Sequence, residues 1–178
     1  PDMDSNGWPQ TGRNRAIDLL RRAHAVVLCG DQHLAFVVKH GIKEFGDGIY
    51  QFCVPSVANK YRRWFDPKVP GKNRKPGAPY YTGDFLDAFG NKITVLAVAN
   101  NPVKQEEVLT SNIKRFGAKK DGHHVTSRKY NSDGYGIIRA NKREQTFTLE
   151  CWPWNADVEK GDSEQFPGWP VKVSLSQC

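Results

Sequence analysis

Residues 25–33 read AVVLCGDQH, and this stretch decides the predicted fold. Its first five residues form a short continuous apolar run rich in β-branched side chains, which predicts a buried, parallel strand. Gly30 ends the run, and Asp31 and His33 follow directly. Ligands of open α/β sheets gather at the carboxyl ends of strands, so these two side chains stand where a site is expected.

The segment before this strand predicts an amphipathic helix over residues 11–24, with Thr11 as its N-cap. Apolar residues recur at helical spacing on one face and arginines cover the other. The apolar positions are Ala16, Ile17, Leu19, Leu20 and Ala23. A helix followed at once by a buried strand indicates a mixed α/β fold.

Further apolar stretches after the first strand predict additional strands. Residues 34–38 form one stretch, and residues 49–58 form a second that stops or bends near Pro55. Residues 93–99 follow a Gly-Asn turn signal and predict a third strand. Residues 103–116 contain a candidate short helix with poor periodicity.

The last part of the chain carries the clearest hairpin signal. Residues 134–140 and 145–152 alternate apolar and polar side chains on either side of a polar connection. Residues 171–175 alternate as well and predict a last edge strand, while the tail after Asp162 is expected to be loosely held. Together these patterns predict late antiparallel pairing in the α/β fold.

Length and composition limit the possible functions. The chain has 178 residues, which suits one domain, and a net charge of +7, which favours phosphate esters, nucleic acid or anionic surfaces. The four cysteines form no Cys-X-X-Cys pair, so a zinc ribbon is disfavoured, and Cys29 and Cys53 are expected to be small buried thiols. No stretch approaches the roughly 18 consecutive apolar residues of a membrane span.

Residues 60–79 predict a long loop in which basic and aromatic residues are interleaved. They are Lys60, Arg62, Arg63, Lys68, Lys72, Arg74 and Lys75, with Tyr61, Trp64, Tyr80 and Tyr81 among or just after them. Such a loop is most often simply solvated, but it can also gather a phosphorylated substrate. Binding of nucleic acid by phosphate contacts and base stacking ranks last.

Three short segments contain residue types that bind metals. Residues 2–7, DMDSNG, match the start of an EF-hand loop, but Arg13 stands where the bidentate Glu belongs, which excludes that motif. Adjacent histidines in residues 122–124 point apart, so a solvated loop is favoured there. Asp31 and His33 offer a carboxylate oxygen and an imidazole nitrogen to one centre. On spacing alone, a turn Asp followed by a surface His is the more common explanation.

No nucleophile elbow, Walker loop, His-Glu-X-X-His helix or dinucleotide-binding glycine pattern occurs in the sequence. Acyl hydrolysis, nucleotide-driven phosphoryl transfer and Rossmann redox chemistry are therefore disfavoured.

A longer joint pattern is more specific than any single motif. DSNGWPQTGRNRAIDLLRRAHAVVLCGDQHLA, residues 4–35, resembles the C-terminal part of PhoD-type alkaline phosphatases, within the calcineurin-like metallophosphoesterases. Later segments resemble the same family in the same order: IYQFCVPSVAN, DGYGIIR and QTFTLECWPW. The resemblance assigns residues 1–154 to the C-terminal portion of that catalytic domain and leaves residues 155–178 as a tail.

The resemblance implies a two-sheet sandwich flanked by helices, with a late antiparallel hairpin. It also implies a bi- or multinuclear metal centre, with iron and calcium or alternatively zinc or manganese, that hydrolyses phosphomonoesters and phosphodiesters. Asp31 and His33 match the family's late D-x-H ligand pair, and Asn6 matches a segment close to the site. Arg62 and Arg63 are candidates to neutralise a substrate phosphate through bidentate hydrogen bonds.

The sequence departs from the family in lacking its earlier ligand motifs and an initiator Met. We therefore expect a C-terminal half-domain whose partner is the missing N-terminal half. Two protein ligands are too few for a binuclear site, so the chain alone is expected to be inactive or nearly so. Many relatives are exported, so the resemblance implies a periplasmic or extracellular protein, while the sequence itself does not decide the compartment.

A second function of a different class also fits the composition. A non-catalytic basic α/β module would bind an anionic polymer or a partner protein. Such binding weakens steeply with salt and is insensitive to chelators. The Gly-Asp-Gln-His stretch at a strand end, in its family context, favours the hydrolase.

Overall fold

A computed structural model describes residues 7, 9–57, 63–100 and 132–175. Within these ranges one α-helix, α1, spans Gln10–Arg22. The strands are β1 Val27–Cys29, β2 Phe36–His40, β3 Tyr50–Cys53, β4 Gly83–Leu86, β5 Lys92–Val98, β6 Gly134–Asn141, β7 Thr146–Pro153 and β8 Val171–Ser174. Two 3₁₀ turns, Val158–Lys160 and Asp162–Glu164, lie between β7 and β8.

The strands form two sheets. A five-stranded mixed sheet has the order β1-β3-β2-β5-β4, in which β1 pairs parallel with β3 and the other pairs are antiparallel. A three-stranded antiparallel sheet has the order β6-β7-β8. The predicted mixed α/β fold, the late hairpin and the last edge strand are all confirmed.

A common core joins the two sheets. Phe52 of β3 is fully buried and packs against Trp169, with 5.3 Å between the ring centroids. Gly136 of β6 lies against the same ring, because a Cβ atom there would approach Phe52 Cζ to 2.9 Å. Phe166, Trp169 and Val173 belong to this core, so the expectation of a loosely held tail after Asp162 is wrong. Burial of these apolar side chains between the two sheets removes them from water, which stabilises the fold.

Helix α1 covers the other face of the five-stranded sheet. Ile17 is its buried residue and lies against Gly48, where a Cβ atom would be 2.8 Å from Ile17 Cγ2. Two arginines also bond the helix to the segment between β2 and β3: Arg13 donates to the Gly41 carbonyl at 2.8 Å, and the partly exposed Arg21 donates to the Asp47 carbonyl at 3.0 Å. The helix is therefore held by both apolar packing and long polar side chains.

Several local predictions need correction. The parallel pairing of β1 is confirmed, but its burial is not: β1 is an edge strand and Leu28 is 57% exposed. Thr11 is not the N-cap, because the helix begins at Gln10 after Pro9 and has no side-chain cap. Strand β4 was not predicted. The candidate helix at residues 103–116 lies outside the described residues.

Candidate functional site

Asp31 and His33 follow β1 at its carboxyl end, as the sequence predicts. Asp31 is exposed, His33 is partly buried, and both adopt left-handed backbone angles, with φ of 68° and 55°. Only a few per cent of non-glycine residues adopt such angles, and Asp and His are enriched among them. Residues held in this region are concentrated at functional sites, where the surrounding structure stabilises the conformation.

A cavity of about 890 Å³ lies between α1 and the sheet, next to these residues. Asp31 and Gln32 line it, and His33 follows directly after them. Most of its wall is apolar, with Ile17, Leu20, Val27, Phe36, Val38 and Val95 among the contributing side chains. This volume is within the range of small-molecule sites, roughly 300–1,000 Å³, and apolar walls with a few polar groups are typical of them.

A chain of hydrogen bonds crosses the floor of the cavity. Arg13 Nη2 donates to His40 Nδ1 at 3.1 Å, so His40 accepts at that nitrogen and carries its proton on Nε2. His40 Nε2 donates to Gln51 Oε1 at 2.5 Å, and Gln51 Nε2 donates to Cys29 Sγ at 2.9 Å. The Arg13 guanidinium therefore sets the orientation of the His40 ring and, through it, of the Gln51 amide that donates to the Cys29 sulfur.

Burial lowers the pKa of His40 below its ordinary value of 6.5, although the hydrogen bond to Gln51 opposes this change. A proton on Nδ1 would also face the Arg13 guanidinium, which cannot accept a hydrogen bond. His40 is therefore neutral at pH 7.

This neutral histidine predicts a pH dependence of stability. The unfolded chain takes up the His40 proton at higher pH than the folded chain does, so the free energy of unfolding is expected to fall as pH drops below 6.5. One group contributes at most about 1.4 kcal/mol per pH unit. Urea unfolding between pH 7.5 and 5.5 measures this slope.

Two variants provide the comparison for that measurement. As pH falls from 7.5 to 5.5, His40→Gln is expected to lose less unfolding free energy than the wild type. The other titrating groups are present in both proteins, so the difference between them reports on His40. His24→Gln, at an exposed histidine, is expected to match the wild type. The same pH dependence in wild type and His40→Gln would contradict the assignment.

Cys29 and Cys53 are neighbours across β1 and β3. The neighbouring Cys53 thiol, together with the hydrogen bond from Gln51, lowers the Cys29 pKa to about 6 against the opposing effect of burial. The proximity of Cys29, followed by burial, raises the pKa of Cys53. Neither cysteine is in a disulfide. Cys53 is buried, as expected, but the expectation of a buried thiol is wrong for Cys29, which is partly exposed on the edge strand β1 and lines the cavity.

Of the other predicted site residues, only Arg63 is among the described residues, and it is exposed and does not line this cavity. Asn6 and Arg62 lie outside the described residues, as do the EF-hand-like residues 2–7, apart from Gly7, and the histidines of residues 122–124. Among residues 7, 9–57, 63–100 and 132–175, no three His, Cys, Asp or Glu side chains converge on one metal position.

Sequence reasoning missed the polar floor of the cavity. Arg13 was assigned to the solvent face of the helix, and His40 was not singled out. Gln51 was the signal in the sequence that pointed to this polar floor. It interrupts residues 49–53, a run in which the Tyr50 hydroxyl is the only other polar side-chain group. Its polar side chain inside a buried strand requires a hydrogen-bond partner.

Comparisons with known proteins found no matching family model, no matching curated protein and no matching solved structure. Within the part of the chain that the structure describes, no helix has the length and apolar character needed to cross a bilayer. The fold and the site thus define a mixed α/β protein with a partly polar cavity beneath its helix.

Proposed function

We propose that this chain is part of a metal-dependent phosphoesterase and that Asp31 and His33 are two of the metal ligands. One observation carries the proposal: both residues follow the carboxyl end of β1 in left-handed conformations, beside the cavity under α1. The resemblance of residues 4–35 to PhoD-type phosphatases supports the same assignment. On this proposal the two sheets form the C-terminal part of a calcineurin-like sandwich.

The two residues fit a metal in kind but not in number. A carboxylate oxygen and an imidazole nitrogen suit iron, zinc or manganese, and carboxylate oxygen suits calcium. A stable centre requires more than two protein ligands. The remaining ligands are proposed to come from outside the described residues, including an N-terminal half of the domain that the resemblance implies.

A bound metal would polarise the phosphoryl oxygens and lower the pKa of a coordinated water. This chain would contribute the apolar cavity wall for the organic part of the ester. Arg13 is not proposed as a phosphate ligand, because its two terminal nitrogens already donate to the side chains of Asn14 and His40 and to the carbonyls of Gly41 and Lys92. Arg62 and Arg63 remain the proposed phosphate-binding residues.

Hydrolysis by the purified 178-residue chain tests the half-domain proposal. We expect no turnover of a chromogenic phosphodiester or phosphomonoester with iron, calcium, manganese or zinc, because the ligand set is incomplete. A His33→Ala chain is the control for contaminating activity. Metal-dependent turnover that disappears in His33→Ala would contradict the half-domain proposal, although it would support the ligand assignment.

One observation favours a second candidate, a basic binding module. Lys68, Lys72, Arg74 and Lys75 are exposed and form no ion pair with a described residue. Such a surface suits an anionic polymer, whose binding would weaken steeply with salt. Binding of an anionic polymer that is unchanged by chelators and by Asp31→Asn would favour this candidate over the phosphoesterase.

A further inference from the structure

The pairing of β1 with β3 places Cys29 and Cys53 side by side. They are direct register partners in the parallel pair, one step beyond Leu28 and Phe52. Neighbouring strands are spaced about 4.7–4.9 Å apart, inside the Cα separation of about 4.4–6.8 Å that a disulfide requires. Because side chains alternate along a strand, both cysteines are on the face opposite Phe52.

The two thiols differ in access. Cys29 is partly exposed and lines the cavity, whereas Cys53 is fully buried behind it. Gln51 Nε2 holds the Cys29 sulfur at 2.9 Å, so this sulfur has a fixed position at the cavity wall. A small reagent in the cavity therefore reaches Cys29 before Cys53. Cys151 is also fully buried, but it lies in β7 of the other sheet.

We propose that Cys29 and Cys53 form a thiol modification site that takes a hydroperoxide as its substrate and closes to a cross-strand disulfide. The site is independent of the metal ligands assigned above, since it needs neither Asp31 nor His33.

The chemistry proceeds in two balanced steps. In the first step the Cys29 sulfur attacks the terminal oxygen of the hydroperoxide, so that an S–O bond forms and the O–O bond breaks. The leaving oxygen takes the proton of the Cys29 thiol and departs as an alcohol, or as water when the substrate is hydrogen peroxide. The Cys53 sulfur then attacks the Cys29 sulfenic acid, the S–S bond forms, and the S–O bond breaks to release water. The two thiols together lose two electrons and two protons, and the peroxide is reduced.

Mass spectrometry of the folded full chain after treatment with hydrogen peroxide tests the proposal. The Cys178→Ser chain is used so that the terminal thiol cannot exchange. We expect a mass loss of two hydrogens, and non-reducing trypsin digestion is expected to link residues 23–39, which contain Cys29, to residues 44–60, which contain Cys53.

Single substitutions identify the order of reaction. In Cys53→Ser, a sulfenic-acid probe such as a cyclic 1,3-diketone is expected to label Cys29. In Cys29→Ser, peroxide is expected to leave Cys53 unmodified, because that thiol is buried. Cys151→Ser is the matched control and is expected to form the link as the starting chain does. Circular dichroism checks that each variant is folded.

The proposal is overturned if the folded Cys178→Ser chain gives no link between residues 23–39 and 44–60 after peroxide treatment. It is also overturned if Cys29 is oxidised to the sulfinic acid without a link, or if Cys53 is modified as fast in Cys29→Ser as Cys29 is in Cys53→Ser. Because the readout is a peptide mass and not hydrolysis, failure here is distinguishable from failure of the phosphoesterase proposal.

Discussion

Replacing His33 with alanine in the full gene product is expected to lower metal-dependent hydrolysis of a phosphodiester by more than about 100-fold. The expected size follows because loss of a residue that merely supports a metal ligand already costs about 10–100-fold in affinity or activity. The substitution removes the imidazole without truncating a residue of the cavity wall, since His33 is not among the lining residues. Steady-state hydrolysis with saturating metal measures the effect.

His24 offers a matched control in the same chain. It is an exposed histidine with a left-handed φ of 50°, close to the 55° of His33, so His24→Ala makes the same change in the same backbone conformation. We expect activity close to wild type for this control. Retention of full activity in His33→Ala, or an equal loss in both variants, would remove His33 from the proposed ligands.

Replacing Phe52 with alanine is expected to lower the free energy of unfolding by about 3–5 kcal/mol, the usual cost of truncating a fully buried Phe. Phe52 is fully buried between the sheets and contacts both Trp169 and Gly136. Its removal leaves a cavity that the rigid strands on either side can only partly close. Urea unfolding followed by tryptophan fluorescence measures the change.

Leu28 is the matched control for Phe52, because the two residues are register partners in β1 and β3. Leu28 is 57% exposed, so Leu28→Ala is expected to cost about 1 kcal/mol or less. Similar losses in the two variants would contradict the assignment of the core to the interface between the sheets.

Much of the fold was predictable because its signals are local. The alternation of apolar and polar residues identified β6 and β7, and the two strands pair over their whole length, from Gly134 with Pro153 to Asn141 with Thr146. The parallel strand β1 was predictable from its β-branched run. Its exposure was not, since the edge position depends on which strands pair beside it.

Strand β4 shows why other elements were missed. Its first residues, Gly83 and Asp84, are typical of turns. Asp84 is nevertheless buried, and it accepts hydrogen bonds from Thr94 Oγ1 at 2.5 Å and Asn73 Nδ2 at 2.9 Å. Both partners lie outside β4, with Asn73 11 residues before Asp84 and Thr94 10 residues after it, so only the folded chain reveals that the aspartate fits a strand.

The candidate site, like the fold, was predictable only where its signals are local in sequence. A strand that ends in Gly30 and is followed by Asp31 and His33 indicates a site at the sheet edge from local sequence alone. The hydrogen-bond chain from Arg13 through His40 to Gln51 was not predictable, because it joins a helix and two strands whose pairing the sequence does not specify. The adjacency of Cys29 and Cys53 depends on the same strand register.

The metal content of the full gene product tests the central claim most directly. The measurement compares wild type, a combined Asp31→Asn and His33→Ala variant, and His24→Ala, each purified without chelator and analysed by elemental mass spectrometry. We predict near-stoichiometric bound metal in wild type and His24→Ala, and loss of that metal from the combined variant with its fold retained. Equal metal content in the folded wild type and the combined variant would contradict the assignment of Asp31 and His33 as metal ligands.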